Sequence, residues 1–244
     1  VPRYAVILAA AGKSSRFRDA NYKKPFAPLD NRAVWLHSAE RFVNRDDVKQ
    51  VVLVISPEDK DHFYSKFGAN VAILGIDVVE GGAERTDSVQ KALERVRDDI
   101  DLIAVHDAAR PCLADEWVDR VFAAAEKTGA AMLAIPVAGT LKRVAPDHTI
   151  VETVSREGLW EAQTPQVFRR ELLLKAYAQR GKEPSTDDAQ LVERLGQKVM
   201  VVPGSPINLK ITTKEDLQIA AYLLKAMPKP KTLGPVHPFD ERFR

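Results

Sequence analysis

Hydrophobic positions along the chain fall in short unbroken runs. "YAVILA" (4 to 9), "QVVLVIS" (50 to 56), "DLIAVH" (101 to 106), "AAMLAIPV" (130 to 137) and "KVMVVPG" (198 to 204) lack polar alternation, the pattern of strands buried on both faces. Helical patterns lie between them at about 33 to 44, 58 to 66, 84 to 97 and 115 to 127. Strands alternating with helices predict an α/β fold: a mostly parallel twisted sheet with helices on both faces.

One segment, about 138 to 170, breaks the rhythm. "GTLKRVAPDHTIVETVSREGLWEAQTPQVF" is rich in β-formers and turn residues and reads as short strands with a hairpin, an arm inserted into the sheet domain. A helical pattern returns at about 170 to 180, and "STDDAQLVERLG" reads as a capped helix starting near Ser185 or Thr186. "TTKEDLQIAAYLLKAM" reads as the last helix, with a capping box of Thr213 and Asp216 or Glu215. The predicted domain is 1–227, and 228–244, "PKPKTLGPVHPFDERFR", reads as an extended proline-rich basic tail.

Composition narrows the classes. With 244 residues, 45% of them hydrophobic, the chain can bury a sizeable core. Lys plus Arg exceeds Asp plus Glu by only 36 to 34, so net charge gives no reason to expect a nucleic-acid or membrane partner. Cys112 stands alone, which excludes an internal disulfide and a cysteine zinc site within one chain. No run approaches the ~18 apolar residues of a membrane span, and no signal-peptide pattern opens the sequence, so a cytoplasmic protein is expected.

Open parallel sheets bind ligands beyond the carboxyl ends of their strands. Ala10, Ala11, Gly12, Lys13, Ser14, Ser15 and Arg16 follow the first run, small residues whose backbone N–H groups can approach a phosphate, with cations close by. The other reading is a tight strand-to-helix turn, since the stretch is neither G-x-G-x-x-G nor a Walker A loop. In "YKKPFAPL", Pro25 stiffens the chain behind Lys24. "VHDAARP" sets Asp107 at a strand end, where a carboxylate suits Mg²⁺, caps a helix or pairs with Arg110. In the same turn His106 reads as a packing or hydrogen-bonding residue. "GGAERTDSV" puts Gly81 and Gly82 before a helix carrying Arg85 and Ser88, either a surface for a base or phosphate or a flexible turn. "NLKITTKEDL" sets Lys210 near the end of a short strand, facing the crevice or solvent. With no Ser-His-Asp pattern, no metal-spaced His cluster and no activated cysteine, these turns together point to charge stabilisation of phosphates.

The set "AAGKSSRF", "KKPF", "GGAERTDSV", "VHDAARP", "TPQVF", "STDDAQLVE" and "NLKITTKEDL", in this order, resembles the 2-C-methyl-D-erythritol 4-phosphate cytidylyltransferase family. The resemblance covers the chain to about residue 224. It implies a Rossmann-like nucleotidyltransferase that moves CMP from CTP to the 4-phosphate of methylerythritol, with Mg²⁺, in the non-mevalonate route to isoprenoids. It also implies a homodimer whose protruding β-arms cross, each completing the neighbour's site. Its transition-state stabilisers fall on Arg16 and Lys24, and the residues that position the substrate phosphate on Arg156 and Lys210, with Thr140 and Asp107 nearby. CTP contacts fall on Ala10, Ala11, Gly12, Gly82, Ser88 and Ala108.

One position departs from the family pattern. Ser14 stands where the first loop, G-x-G-x-R, has its second glycine, and the expectation is a loop that keeps phosphate contact with a changed backbone angle. Two alternatives accompany the main reading. One is a ribitol 5-phosphate cytidylyltransferase, against which "GTLKR" and "SREGLW" favour methylerythritol phosphate; the other is a non-catalytic nucleotide-binding regulator, whose signature would be loss of Arg16, Lys24 or Lys210. All three residues are present.

Overall fold

The computed structural model describes residues 1–12, 14, 17, 22–181 and 183–228. In chain order the first elements are β1 (Tyr4–Ala9), β2 (Pro28–Leu29), β3 (Arg32–Ala33), α1 (Val34–Val43), β4 (Val48–Ile55), α2 (Lys60–Leu74), β5 (Asp77–Glu80), α3 (Arg85–Leu93) and β6 (Leu102–Asp107). Then come α4 (Asp115–Thr128), β7 (Ala130–Pro136), β8 (Leu141–Val144), β9 (Ile150–Val154), β10 (Trp160–Arg169), α5 (Arg170–Ala178), α6 (Asp188–Arg194), β11 (Met200–Pro203) and α7 (Lys214–Ala226).

Seven strands form one sheet in the order β11-β7-β10-β6-β1-β4-β5. All neighbouring pairs are parallel except those of β10, which runs antiparallel to both β6 and β7. The expected α/β architecture is present, with one strand reversed. On β1, Tyr4, Val6 and Leu8 enter a core with Trp35, Phe42, Phe63, Val121 and Phe122 of α1, α2 and α4. Ala5 and Ile7 face the other way, into a core with Val89, Leu93, Leu173, Tyr177 and Leu191 of α3, α5 and α6. Two-sided burial explains the unbroken apolar run: each Val, Leu or Ile removed from water contributes about 1.5–3 kcal/mol, and no position on β1 is left for a polar side chain.

The chain travels from β1 outward through β4 to β5, then returns to place β6 on the other side of β1. This reversal opens a crevice beyond the carboxyl ends of β1 and β6, where Ala9 and Asp107 lie opposite each other in register. α7 begins with the expected capping box, Thr213 Oγ1 accepting from the Asp216 N–H at 3.3 Å and Asp216 Oδ2 accepting from the Thr213 N–H at 2.9 Å. It packs with Leu29, Val34, Cys112 and Ile211 in a third cluster. Burial pushes the Cys112 thiol up to about 12, so this cysteine is an apolar packing group and no nucleophile.

Several expected elements differ. The pattern over 58–66 extends to Leu74, where Gly75 ends α2 in the left-handed region at φ +61°. α3 stops at Leu93 and not 97. The cap of α6 is Asp187, not Ser185 or Thr186: its carboxylate accepts from the Gln190 N–H at 3.0 Å. No strand forms around Lys210; the segment is held by one strand-like bond, Ile211 N–H to the Ala109 carbonyl at 2.8 Å. Within 138–170 only β8 and β9 form the expected hairpin, a separate two-stranded sheet. The last part, β10, belongs to the main sheet, and the hairpin leaves it where Trp160 pairs with Pro136. Beyond Pro228 the proline-rich tail lies outside the described residues.

Candidate active site

At the crevice a cavity of about 300 Å³ opens. One wall is Ala10, Ala11 and Gly12, which continue β1; the Ala10 N–H still bonds the Val54 carbonyl at 2.9 Å before the chain leaves the sheet. A Cβ at Gly12 would meet nothing within 4 Å among the described residues, so the backbone there faces open space.

The facing wall is Gly82 to Ser88. Ser88 Oγ donates to the Glu84 carbonyl at 3.0 Å and accepts from the Gly82 N–H at 3.1 Å, pinning the glycine turn to the first turn of α3. Both glycines are needed for close approach. A Cβ at Gly81 would lie 2.6 Å from Ser88 Oγ and 2.8 Å from Ala11 Cβ, and one at Gly82 would collide with Asp87. Lys24 lines the same cavity from a short 3-10 turn whose second residue is Pro25.

Asp107 forms the floor with Lys210. Lys210 Nζ is 2.6 Å from Asp107 Oδ2, Arg85 Nε is 3.6 Å from Oδ1, and Arg110 Nε is 3.9 Å from Oδ2. Burial opposes the Asp107 charge, but Arg85, Lys210 and Arg110 more than offset it and hold its carboxyl well below the usual range. The anticipated Asp107–Arg110 pair is therefore one of three.

Behind Asp107 a buried hydrogen-bond chain fixes its backbone. The Asp107 N–H bonds Thr164 Oγ1 at 3.1 Å, Thr164 Oγ1 donates to His106 Nδ1 at 3.0 Å, and His106 Nε2 donates to the Arg110 carbonyl at 3.1 Å. The carbonyl can only accept, which fixes the tautomer. Burial pushes the His106 pKa down to about 4, so the ring is neutral near pH 7. Arg110 donates to the Asn208 carbonyl at 2.7 Å, and Asn208 Nδ2 donates to the Thr164 carbonyl at 2.9 Å, tying the Lys210 segment to β10.

Of the residues singled out in the sequence, Ala10, Ala11, Gly12, Lys24, Gly82, Ser88, Asp107 and Lys210 converge on this cavity. Ala108 lies fully buried just behind it, its carbonyl accepting from Ser38 Oγ at 2.9 Å. Arg16 lies outside the described residues. Thr140 and Arg156 do not line the cavity: both are exposed on the arm, where Arg156 Nη1 donates to the Ala138 carbonyl. Ser14 is in the left-handed region at φ +50°, where glycine sits without cost, and its Oγ accepts from the Lys24 N–H at 3.1 Å. Among the described residues no group of three or more His, Cys, Asp or Glu could hold a metal ion. Sequence reasoning noted Arg85 without giving it a place in the site; the signal was its position on the first turn after the paired glycines.

A switch-point crevice walled by small residues and floored by a carboxylate faced by three cations defines the class, a nucleotide-binding α/β protein. The sequence model of the 2-C-methyl-D-erythritol 4-phosphate cytidylyltransferase (IspD) family matches residues 4–226. A relative of that description from Rhodopirellula baltica is 45% identical over 231 residues, covering 90% of this chain and 94% of its own length. Another, from Pelotomaculum thermopropionicum, is 39% identical, covering 92% and 95%. The crystal structure of the Thermus thermophilus 2-C-methyl-D-erythritol 4-phosphate cytidylyltransferase superposes with a TM-score of 0.72 at 32% identity, covering 90% of this chain and 98% of that one. The chain belongs to the 2-C-methyl-D-erythritol 4-phosphate cytidylyltransferase family.

Proposed function

We propose that this chain transfers CMP from CTP to 2-C-methyl-D-erythritol 4-phosphate, releasing pyrophosphate and forming the 4-CDP derivative. The observation that carries the reading is the convergence of Ala10–Gly12, Lys24, Gly82, Ser88, Asp107 and Lys210 on one cavity. The acceptor phosphate is already an anion, so its attack on the CTP α-phosphorus needs no general base. Alignment and positive charge are what the protein must supply.

In this reading the turn at Ala10–Gly12 offers backbone to the triphosphate, and Gly82 and Ser88 border the cytosine. Lys24 and Arg16 stabilise charge at the α-phosphate and the leaving pyrophosphate. Lys210, its ammonium beside Asp107, holds the acceptor phosphate.

The divalent cation is best read as part of the substrate, Mg²⁺ carried on the triphosphate. Both Asp107 oxygens face cations, which makes this carboxylate a poor resident ligand; hard phosphate oxygens and water suit Mg²⁺ better. Asp107 instead steadies Lys210.

Thr140 and Arg156 serve the neighbouring copy of a homodimer. The support is that neither lines its own chain's cavity, together with half or more exposed Val144, Ile150 and Val151 on the hairpin between them. Apolar side chains clustered on a two-stranded ribbon favour a protein partner. No helix of the described residues is long and apolar enough to cross a membrane.

The test is pyrophosphate release from Mg²⁺·CTP with methylerythritol 4-phosphate and ribitol 5-phosphate compared side by side. Turnover with methylerythritol phosphate is expected. Turnover with ribitol phosphate alone would transfer the assignment to that acceptor, and absence of both would favour a regulator.

A further inference from the structure

The floor of the cavity is tied to the start of α6 by charge. Asp188, on the first turn of α6, is fully buried, with its backbone N–H held by Gln166 Oε1 of β10 at 3.1 Å. Tyr177 of α5 donates to Asp188 Oδ1 at 2.5 Å, and Arg85 Nη2 donates to Asp188 Oδ2 at 2.7 Å. The same guanidinium reaches forward through Nε to Asp107 Oδ1 at 3.6 Å, and Asp107 Oδ2 accepts Lys210 at 2.6 Å. Arg85 Nη1 is buried without a hydrogen-bond partner among the described residues, so the two aspartates orient its fork.

We infer that Tyr177 and Asp188 are positioning residues for the acceptor phosphate, acting through Arg85 and Asp107 on Lys210. The inference rests on the reading of Lys210 given above.

Charge sharing supplies the logic. Asp188 makes the close hydrogen bond to Arg85 and holds it away from full engagement with Asp107. Asp107 is thereby stabilised as an anion, and its Oδ2 takes the Lys210 ammonium at 2.6 Å with Arg110 Nε farther off at 3.9 Å. Without the Asp188 charge, Arg85 has one carboxylate left and competes with Lys210 for it, and a lysine on a flexible stem then loses its fixed address. Arginine fits the task because its Nε and Nη2 can face two carboxylates at once; lysine presents a single point charge.

The experiment measures KM for each substrate and kcat in K210A, R85A, D188N, Y177F and the double variant R85A/D188N, with thermal melting as the check on folding. K210A is expected to raise the acceptor KM. D188N should raise it about 10-fold, the range seen when a supporting partner of a site residue is lost, with the KM for CTP within about twofold. In the R85A background D188N should add less than about twofold, because its path to the site runs through Arg85. Y177F removes one hydrogen bond and leaves the carboxylate, so it reports if D188N does not fold; an acceptor KM about threefold higher is expected.

Equal rises in both KM values in D188N would overturn the inference, as would independent multiplication of the R85A and D188N effects. An unchanged acceptor KM in K210A would also overturn it, by removing the premise that Lys210 holds that phosphate. An acceptor effect in K210A without one in D188N or Y177F leaves Lys210 its role and removes the positioning residues alone.

Discussion

The cavity floor and the arm carry cations assigned to the same acceptor phosphate, yet they are held in opposite ways. Lys210 sits beside a buried aspartate that is ringed by arginines and anchored through Thr164 and His106 to the sheet. Arg156 is exposed, and its side chain donates to the Ala138 backbone carbonyl of its own arm. The core half is preorganised by interactions within one chain, whereas the arm half carries its cationic and apolar side chains exposed. Preorganised charge can act on the transition state directly, while an exposed side chain must first be ordered by what it meets. The two halves should therefore fail differently when altered.

The largest effect is expected in the core. Lys24→Ala should lower kcat at least ~100-fold, the order lost when one preorganised charge-stabilising group is removed. Arg156→Ala should chiefly raise the acceptor KM and leave the KM for CTP near its starting value. Mixing the two variants, assayed at an acceptor concentration far below the raised KM so that each alone is nearly silent, then tests whether the halves belong to different chains. If arms cross, a mixed dimer contains one intact pairing of core and arm, and statistical exchange restores about a quarter of wild-type activity. If each arm served its own cavity, mixing would restore nothing.

His106 probes the scaffold behind the floor. Its pKa is pushed down to about 4 in the fold by burial, against 6.5 for the free side chain. Between these values the unfolded chain binds a proton that the folded one refuses, so stability is full above pH 6.5 and declines as pH falls toward 4. From pH 7 to pH 5 this residue should cost about 2 kcal/mol of unfolding free energy. His106→Gln is expected to be less stable at pH 7, since it disturbs two buried hydrogen bonds, but to show a flatter dependence on pH. Parallel denaturation curves for the two proteins across pH 5–7 would remove His106 as a neutral buried brace. On the arm, by contrast, Arg143 and Glu152 pair across the hairpin with both side chains more than half exposed.

The same contrast decides what was legible in the sequence. β1, β4, β6 and β7 could be read because two-sided burial forces unbroken apolar runs, and α7 because its capping box is local. β5 was not among the expected strands. It is a four-residue edge strand with only Val78 and Val79 partly buried, too short for a period to show. β10 was taken as arm with the rest of 138–170, a stretch rich in β-formers and turn residues; its Gln163, Thr164 and Gln166 are nearly fully buried and are spent on hydrogen bonds to Ser205, His106 and the start of α6. A buried polar residue with a distant partner resembles a surface residue until the partner is in place. The walls of the cavity were legible as small residues after strands. Its electrostatics were not, since Asp107, Arg85, Asp188 and Lys210 are brought together only by the tertiary fold.

Ser14 is the point where the phosphate loop touches the core half, and the smallest effect is expected there. Its backbone lies in the left-handed region, at φ +50°, which costs a serine about 1 kcal/mol relative to glycine. In exchange, Oγ accepts the Lys24 N–H at 3.1 Å and can donate to the Gly12 carbonyl at 3.4 Å, tying the loop to the turn that carries the proposed charge stabiliser. Ser14→Gly relieves the backbone and removes the tie, two terms of about 1 kcal/mol with opposite sign, so the melting temperature should stay within a few degrees. Ser14→Ala keeps the strain and removes the tie, and should melt below both. If the hydroxyl orders the loop before CTP arrives, both variants raise the KM for CTP by about threefold and leave the KM for the acceptor unchanged. An alanine variant that binds CTP as well as the parent, although it keeps the strained backbone and lacks the tie, would leave the hydroxyl no part in joining the loop to Lys24.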